Sequence, residues 1–180
     1  MGLLLASCAG EPVANTFDLN AAKPVSARPM RAQLRVRQPV AGIDLDSDRI
    51  LVRVGPEQVA TLARARWSDR LPLLVQSRLT QTFANANLLR RVGGRGATTS
   101  ADYDVDVEIR RFELDVAQMR VAVDLAVKIV SAGGADVAAA EIFTAEAPVA
   151  STDGAAVSAA LDRAFSSVMK RIVAFVSTRL

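Results

Sequence analysis

Three segments in the second half of the chain alternate between apolar and polar residues over ten or more positions. They cover residues 102–116, 119–130 and 137–149, and Gly133 and Gly134 mark a turn between the last two. Because successive side chains on a strand point to opposite faces of a sheet, the alternation predicts strands with one buried and one exposed face. The short connections favour an antiparallel meander. Such a sheet needs a covering layer on one face only.

The first of these segments changes parity halfway along. Its apolar residues occupy odd positions up to Ile109, and the set then continues with Phe112 and Leu114. A single extra residue in a strand restores the inward face after such a change. We therefore predict a β-bulge at Arg110 and Arg111.

Two other segments have apolar residues at intervals of three and four, which is typical of amphipathic helices. The first covers residues 69–87, with Asp69 as the predicted N-cap and Pro72 in the first turn. The second covers residues 154–178, and its candidate N-caps are Ser151, Thr152 and Asp153. We expect an α+β domain of two layers, in which an antiparallel sheet with long meander strands is covered on one face by these two helices.

Shorter alternating segments add two strands, at residues 32–36 and 48–54. In the second of them, Ile50, Val52 and Val54 are predicted to share the inward face.

The chain begins with an apolar run that ends at its only cysteine, Cys8. Leu5, Ala6 and Ser7 precede it and complete a bacterial lipobox, in which small residues allow cleavage and the thiol accepts a diacylglyceryl group. The alternative is a stray cysteine in a start rich in leucine and alanine. We interpret residues 1–8 as a truncated lipoprotein signal, since the run before Cys8 is short and lacks a basic residue. Residues 9–31 are then a proline-containing tether, interrupted by a short extended piece around Phe17 to Leu19, and residues 32–180 are a single domain.

The composition limits the chemistry that the chain can perform. It has no histidine among its 180 residues, so the commonest general base and the commonest zinc ligand are missing. A hydrolase would need a serine hydroxyl close to Lys128 or Lys170 as an unconventional base. We expect no catalytic residue, no metal site and no cofactor.

A row of carboxylates in the first long segment, Asp102, Asp104, Asp106 and Glu108, has one possible chemical role, that of a cation site. Neighbouring residues on one face of a strand are almost 7 Å apart, too far for one ion to bridge. We interpret the row as a solvated or partner-facing surface.

Charge is distributed unevenly along the chain. Residues 1–100 carry a net charge of +7 and residues 101–180 a net charge of −4. Three arginines, Arg64, Arg66 and Arg70, surround the single tryptophan, Trp67, which we expect in the core. These arginines are candidate contacts for anionic headgroups or an acidic partner; the alternative is that they are solvated and cover the indole. With few aromatic residues to stack on bases, no nucleic-acid partner is expected.

Five sequence blocks resemble the family of ABC-type transport auxiliary lipoproteins, over about residues 16–180. They are F-D-L from Phe17, D-R-I-L-V-R from Asp48, A-R-W-S-D-R-L-P from Ala65, A-D-Y-D-V-D-V-E-I-R-R-F from Ala101 and F-T-A-E-A-P-V from Phe143. Cys8 matches the acylated cysteine of these lipoproteins. The family supplies no catalytic residue.

The resemblance implies an accessory subunit of a lipid transport system, anchored on the periplasmic face of the outer membrane. The implied partners are an ATPase, a permease and an MCE-domain protein that bridges the envelope, and a homo-oligomer is an open possibility. Ala9 follows the cysteine in place of the aspartate that retains many lipoproteins at the inner membrane. The rival hypothesis is a self-assembling structural or assembly-factor lipoprotein of the outer membrane without a transporter role. Neighbouring genes for an ATPase, a permease and an MCE protein would distinguish the two.

Overall fold

The computed structural model describes residues 14–23, 32–88, 92–93, 101–134 and 136–180. The strands, in chain order, are β1 (Asn15–Phe17), β2 (Leu34–Val36), β3 (Val40–Ala41), β4 (Arg49–Arg53), β5 (Val59–Trp67), β6 (Val92–Gly93), β7 (Tyr103–Asp115), β8 (Arg120–Ser131) and β9 (Val137–Pro148). The helices are α1 (Leu71–Phe83), which continues into a π-helical turn at Ala84–Leu88, and α2 (Gly154–Arg179).

Strands β7, β8 and β9 form the predicted antiparallel meander. The inward residues of β8 are all buried, as the alternation indicated: Val121, Val123, Leu125, Val127 and Ile129. The register between β7 and β8 shifts between Ile109 and Arg111, which confirms the predicted bulge. The bulge returns Phe112 and Leu114 to the buried face.

The remaining strands make the sheet mixed, which the sequence analysis did not predict. Strands β2, β3 and β4 pair in parallel with successive parts of β7, while β5 is antiparallel to β4 and β1 is parallel to β5. The residue pattern of a short strand indicates its buried face but not its neighbour, so the parallel pairs were missed. Val54 was wrongly placed on the inward face. Strand β4 ends at Arg53, and Val54 begins the turn into β5, where it is 42% exposed.

The two helices cover one face of this sheet, as predicted. Helix α2 begins at its N-cap Asp153, whose side chain accepts a hydrogen bond from the N–H of Ala156. The Ser151 hydroxyl donates a second hydrogen bond to the same carboxylate. These two bonds hold the pKa of Asp153 below its usual value. The predicted apolar stripe of α2 is buried throughout.

Helix α1 begins later than predicted. Its N-cap is Arg70 and not Asp69, because the Asp69 carboxylate accepts a hydrogen bond from the N–H of Arg70, outside the helix. Pro72 lies in the first turn, as predicted. The N–H of Leu71 donates to the carbonyl of Ser47, so tertiary contacts replace the side-chain cap.

The aromatic residues join the two layers at the centre of the core. Trp67 is buried and meets Phe112 edge to face, with ring centroids 5.9 Å apart. Phe112 packs in the same way on Phe165 of α2, at 5.6 Å. The expectation that Trp67 is a core residue at the junction of strand and helix is confirmed.

Residues 14–23 are part of the folded body, which corrects the predicted tether at residues 9–31. Strand β1 extends the sheet beside β5, and Leu19 and Ala22 are each 1% exposed within the core. The N–H of Ala22 donates to the hydroxyl of Thr82 on α1. The other parts of the predicted tether, residues 9–13 and 24–31, lie outside the described residues, as does the lipobox with Leu5, Ala6, Ser7 and Cys8.

Candidate docking surface

The face of the sheet opposite the helices carries charges that are arranged in pairs. On β7, Asp104 accepts two hydrogen bonds from the guanidinium of Arg35 on the adjacent strand β2, both at 2.8 Å. The hydrogen bonds to Asp104 raise the pKa of Arg35 above its usual value. Asp104 is only 5% exposed. The interpretation of the acidic row as solvated is therefore wrong at this position.

A second carboxylate of β7 is held by two arginines. Glu113 is 1% exposed and accepts hydrogen bonds from Arg53 at 2.9 and 3.1 Å, and from Arg111 at 3.0 Å. Bonding to Glu113 raises the pKa of Arg53. The parallel pairing of β4 with β7 brings Arg53 level with this part of the strand. Sequence reasoning missed this cluster because it did not predict that pairing.

Two further members of the predicted acidic row also have partners. Asp106 lies 3.6 Å from Arg37, and Asp102 accepts a hydrogen bond from the N–H of Gln33. The fourth member, Glu108, is exposed. Among the described residues, no three acidic or cysteine side chains come together as a metal-binding group. The row is therefore a set of separate carboxylates along one face, two of them in ion pairs with arginines on or directly after β2.

One row across four strands of this face has an apolar side chain on three of them and Glu108 on the fourth. Val40 of β3 is level with Glu108, which is level with Ala126 of β8 and, through it, with Ile142 of β9. Val40 is 65% and Ile142 51% exposed, a high fraction for large apolar residues. A shallow groove of about 230 Å³ follows the row from Val40 to Ala126, and Arg37 and Lys128 are among its lining residues. Exposed apolar atoms flanked by charges are typical of interaction surfaces.

Strand β9 ends the sheet beside this row and pairs only with β8 among the described strands. Its outer edge is partly covered, because Arg171 of α2 donates a hydrogen bond of 2.8 Å to the carbonyl of Thr144. The same guanidinium lies 5.4 Å from the ring centre of Phe143. The backbone edge of β9 is therefore covered by Arg171 at Thr144, whereas the nearby side chain of Ile142 is exposed to solvent.

The three predicted contact arginines have different surroundings. Arg66 lies 3.9 Å from Asp48 and donates to the hydroxyl of Thr16, while Arg70 lies 2.5 Å from Asp46. Arg64 is exposed, has no ion pair within the described part of the chain and has a φ of 56°, in the left-handed region. The structure thus brings Arg66 and Arg70 together with acidic groups and leaves Arg64 open to solvent.

An open, mixed sheet with two helices on one face defines the class of the protein as a two-layer α+β domain. No described helix has the length and apolarity needed to cross a bilayer. The family model of the ABC-type transport auxiliary lipoprotein component matches residues 17–173. The chain therefore belongs to this family, whose members are lipoprotein components of ABC-type transport. The match confirms the resemblance found in the sequence.

Two other proteins are similar to the chain over most of its length. The uncharacterised protein bll6063 of Bradyrhizobium diazoefficiens is 29% identical over 161 residues, which cover 88% of this chain and 43% of that protein. The chain thus spans less than half the length of this relative. The crystal structure of protein XCC0632 from Xanthomonas campestris superposes with a TM-score of 0.83 at 26% identity, covering 92% of this chain and 96% of the other.

A third likeness concerns the fold alone. The hypothetical protein CT253 of Chlamydia trachomatis has a TM-score of 0.52 at 11% identity, over 83% of this chain and 99% of that one. The architecture is therefore shared by proteins of very different sequence.

Proposed function

We propose that the protein is a lipid-anchored, non-enzymatic docking subunit of an ABC-driven lipid transport system at the periplasmic face of the outer membrane. Its partners are an MCE-domain protein and, through it, the permease and ATPase. Acylation of Cys8 anchors it, and the apolar row of the open face, Val40, Ala126 and Ile142, receives the partner. The exposure of this row among paired charges is the observation that carries the proposal.

The physical chemistry of the row supports a role in binding. Asp104, Asp106 and Glu113 on this face are already paired with arginines, so these charges do not each lose their hydration unpaired when a second protein covers them. The exposed apolar groups then supply the favourable burial. Lys128, which is exposed at the groove and forms no ion pair within the described part of the chain, is available for a carboxylate of the partner.

The anchor is tested by replacing its thiol. Two or more acyl chains hold a domain on a bilayer far more firmly than one chain does. We expect Cys8→Ser, expressed with a complete lipoprotein leader, to move from the membrane to the soluble periplasmic fraction with an unchanged circular dichroism spectrum. If the variant stays with the membrane, the anchor proposal is wrong.

The docking surface is tested by an acidic substitution in the row. Ile142→Glu places a charge where a partner would bury an apolar group, and we expect at least a tenfold loss of MCE-domain protein recovered with the acylated protein from its own envelope. The matched control is Ala159→Glu, an exposed position on α2 in the helical layer. Equal recovery with both variants would contradict docking through this face, and recovery of no MCE-domain protein by the unsubstituted protein would contradict the transport role.

A further inference from the structure

The direction in which the chain enters the body defines which end of the domain is nearest to the anchor. Strand β1 runs parallel to β5, and Asn15 is level with Ala65. Ala14 is therefore level with Arg64, and the backbone enters β1 from the side on which β5 begins, at Val59.

That end of the body consists of adjoining turns. Val59 is level with Arg53, and the hairpin that joins β4 to β5 extends beyond them. The N–H of Val116 donates to the carbonyl of Arg53, so the turn between β7 and β8 lies at the same end. The hairpin exposes two apolar side chains, Val54 at 42% and Val59 at 40%.

The length of chain between the anchor and the body limits how far that end lies from the bilayer. Five residues separate Cys8 from Ala14, and fully extended they span about 20 Å. The opposite end of the sheet, at the turn that contains Gly133, lies beyond the length of β7, whose 13 residues span about 40 Å. An anchor at Cys8 reaches the hairpin and its surroundings but not the opposite end.

Two exposed charges, one on β5 and one in the hairpin, indicate the kind of headgroup that this part of the body meets. Arg64 is exposed without an acidic partner among the described residues, in a backbone conformation that is uncommon for a long side chain. Glu57 is exposed at the tip of the hairpin. Arg64 lies on β5 at the level of Ala14, and Glu57 lies in the hairpin; within the described part of the chain neither forms an ion pair. A guanidinium and a carboxylate match the phosphate and the ammonium of a zwitterionic phospholipid.

We propose that the end formed by the β4–β5 hairpin contacts the bilayer, with Val54 and Val59 among the lipids, Arg64 on a phosphate and Glu57 on an ammonium group. The inference rests on the proposed anchoring through Cys8 and adds a membrane-facing surface to it. Each contact is weak alone, but the anchor keeps the local lipid concentration high. The open face then stands upright from the membrane and stays accessible to a partner.

The contact is tested by a fluorescent probe attached to an introduced cysteine in the acylated protein. Acylation occupies the thiol of Cys8, so Val54→Cys supplies the only free thiol of the chain. Gly133→Cys at the opposite end is the matched control, because a side chain there meets open space. The proteins are bound to phosphatidylethanolamine and phosphatidylcholine vesicles that contain a phospholipid quencher.

We expect the probe at position 54 to shift to shorter wavelength and to be quenched at least threefold more than the probe at position 133. Equal or stronger quenching at position 133 would overturn the proposal. Replacing part of the zwitterionic lipid with anionic lipid should not increase quenching; an increase would overturn the assignment of the headgroup.

Flotation of the same vesicles distinguishes the membrane-facing hairpin from the proposed anchoring through Cys8, on which it rests. Protein that does not float with the vesicles contradicts the anchor. Protein that floats without selective quenching at position 54 leaves the anchor intact and contradicts the membrane-facing hairpin alone.

Discussion

Glu113 shows how single residues stabilise the open face. Its carboxylate is removed from water and depends on Arg53 and Arg111 for all the hydrogen bonds found among the described residues. Removing one partner of a buried ion pair is costly, because the remaining charge cannot recover its hydration.

Arg53→Met is expected to lower the free energy of unfolding by about 2 kcal/mol, less than a complete loss of pairing because Arg111 remains. Urea denaturation followed by circular dichroism measures the change. Arg120→Met is the control: its pair with Glu146 is half exposed on both sides, and we expect a loss below about 1 kcal/mol. Similar losses for both variants would show that Glu113 does not depend on Arg53.

Gly154 is the second residue with a strict requirement. A Cβ there would lie 2.8 Å from the ring of Phe17 and 2.9 Å from the Cβ of Ala65. Gly154→Ala should therefore displace β1 and lower stability by about 1–2 kcal/mol in thermal unfolding, despite the better helix propensity of alanine. Gly133→Ala, where nothing lies within 4 Å, should stay within about 0.5 kcal/mol. An unchanged melting temperature for Gly154→Ala would mean that Phe17 moves freely.

The elements were predicted to different extents by the sequence. Long strands repeat their alternation often enough that the parity change at Arg110 and Arg111 stands out, and α2 combines a clear cap with a long stripe. The short strands have too few residues to specify a neighbour, so the Arg53 cluster and the attachment of β1 were missed. The start of α1 was misplaced because aspartate is a common N-cap residue, whereas the Asp69 side chain makes no capping hydrogen bond to the helix.

The N-cap of α2 is expected to make stability depend on acidity. Because the pKa of Asp153 is lower in the folded than in the unfolded state, its contribution is complete above the unfolded pKa of about 3.8 and is lost as the pH falls through the folded value. Asp153→Ala should lower the melting temperature at pH 7 by about 2–4 °C. The difference from the unsubstituted protein should shrink below pH 3.8, and a constant difference would contradict the role of the ionised cap.

At the scale of the whole molecule, the candidate surface could be predicted only in part. The sequence indicated a long meander with an exposed face, and the family resemblance added an anchor and a transport role. The apolar row from Val40 to Ile142 depends on the register of four strands, and no local pattern contains that information.

The segment that joins the anchor to the body is expected to be part of the folding unit. A chain that begins at residue 24 lacks Leu19 and Ala22 and should lose about 3 kcal/mol or more, as for the removal of large core side chains. A chain that begins at residue 14 should retain the stability of the full chain in urea denaturation. Equal stability of the two shortened chains would show that β1 and Leu19 are dispensable.

The parallel pairing of β1 with β5 has a mechanical consequence. Tension applied at Cys8 and directed past the β4–β5 hairpin acts along the axis of β1. Such a force shears the hydrogen bonds between β1 and β5 simultaneously and does not break them one after another. The ring of Phe17 against Gly154 and the buried side chain of Leu19 resist the same displacement. If Cys8 carries the proposed anchor, a pull from a moving partner would reach the membrane through β1 without unfolding the domain from its N-terminal side.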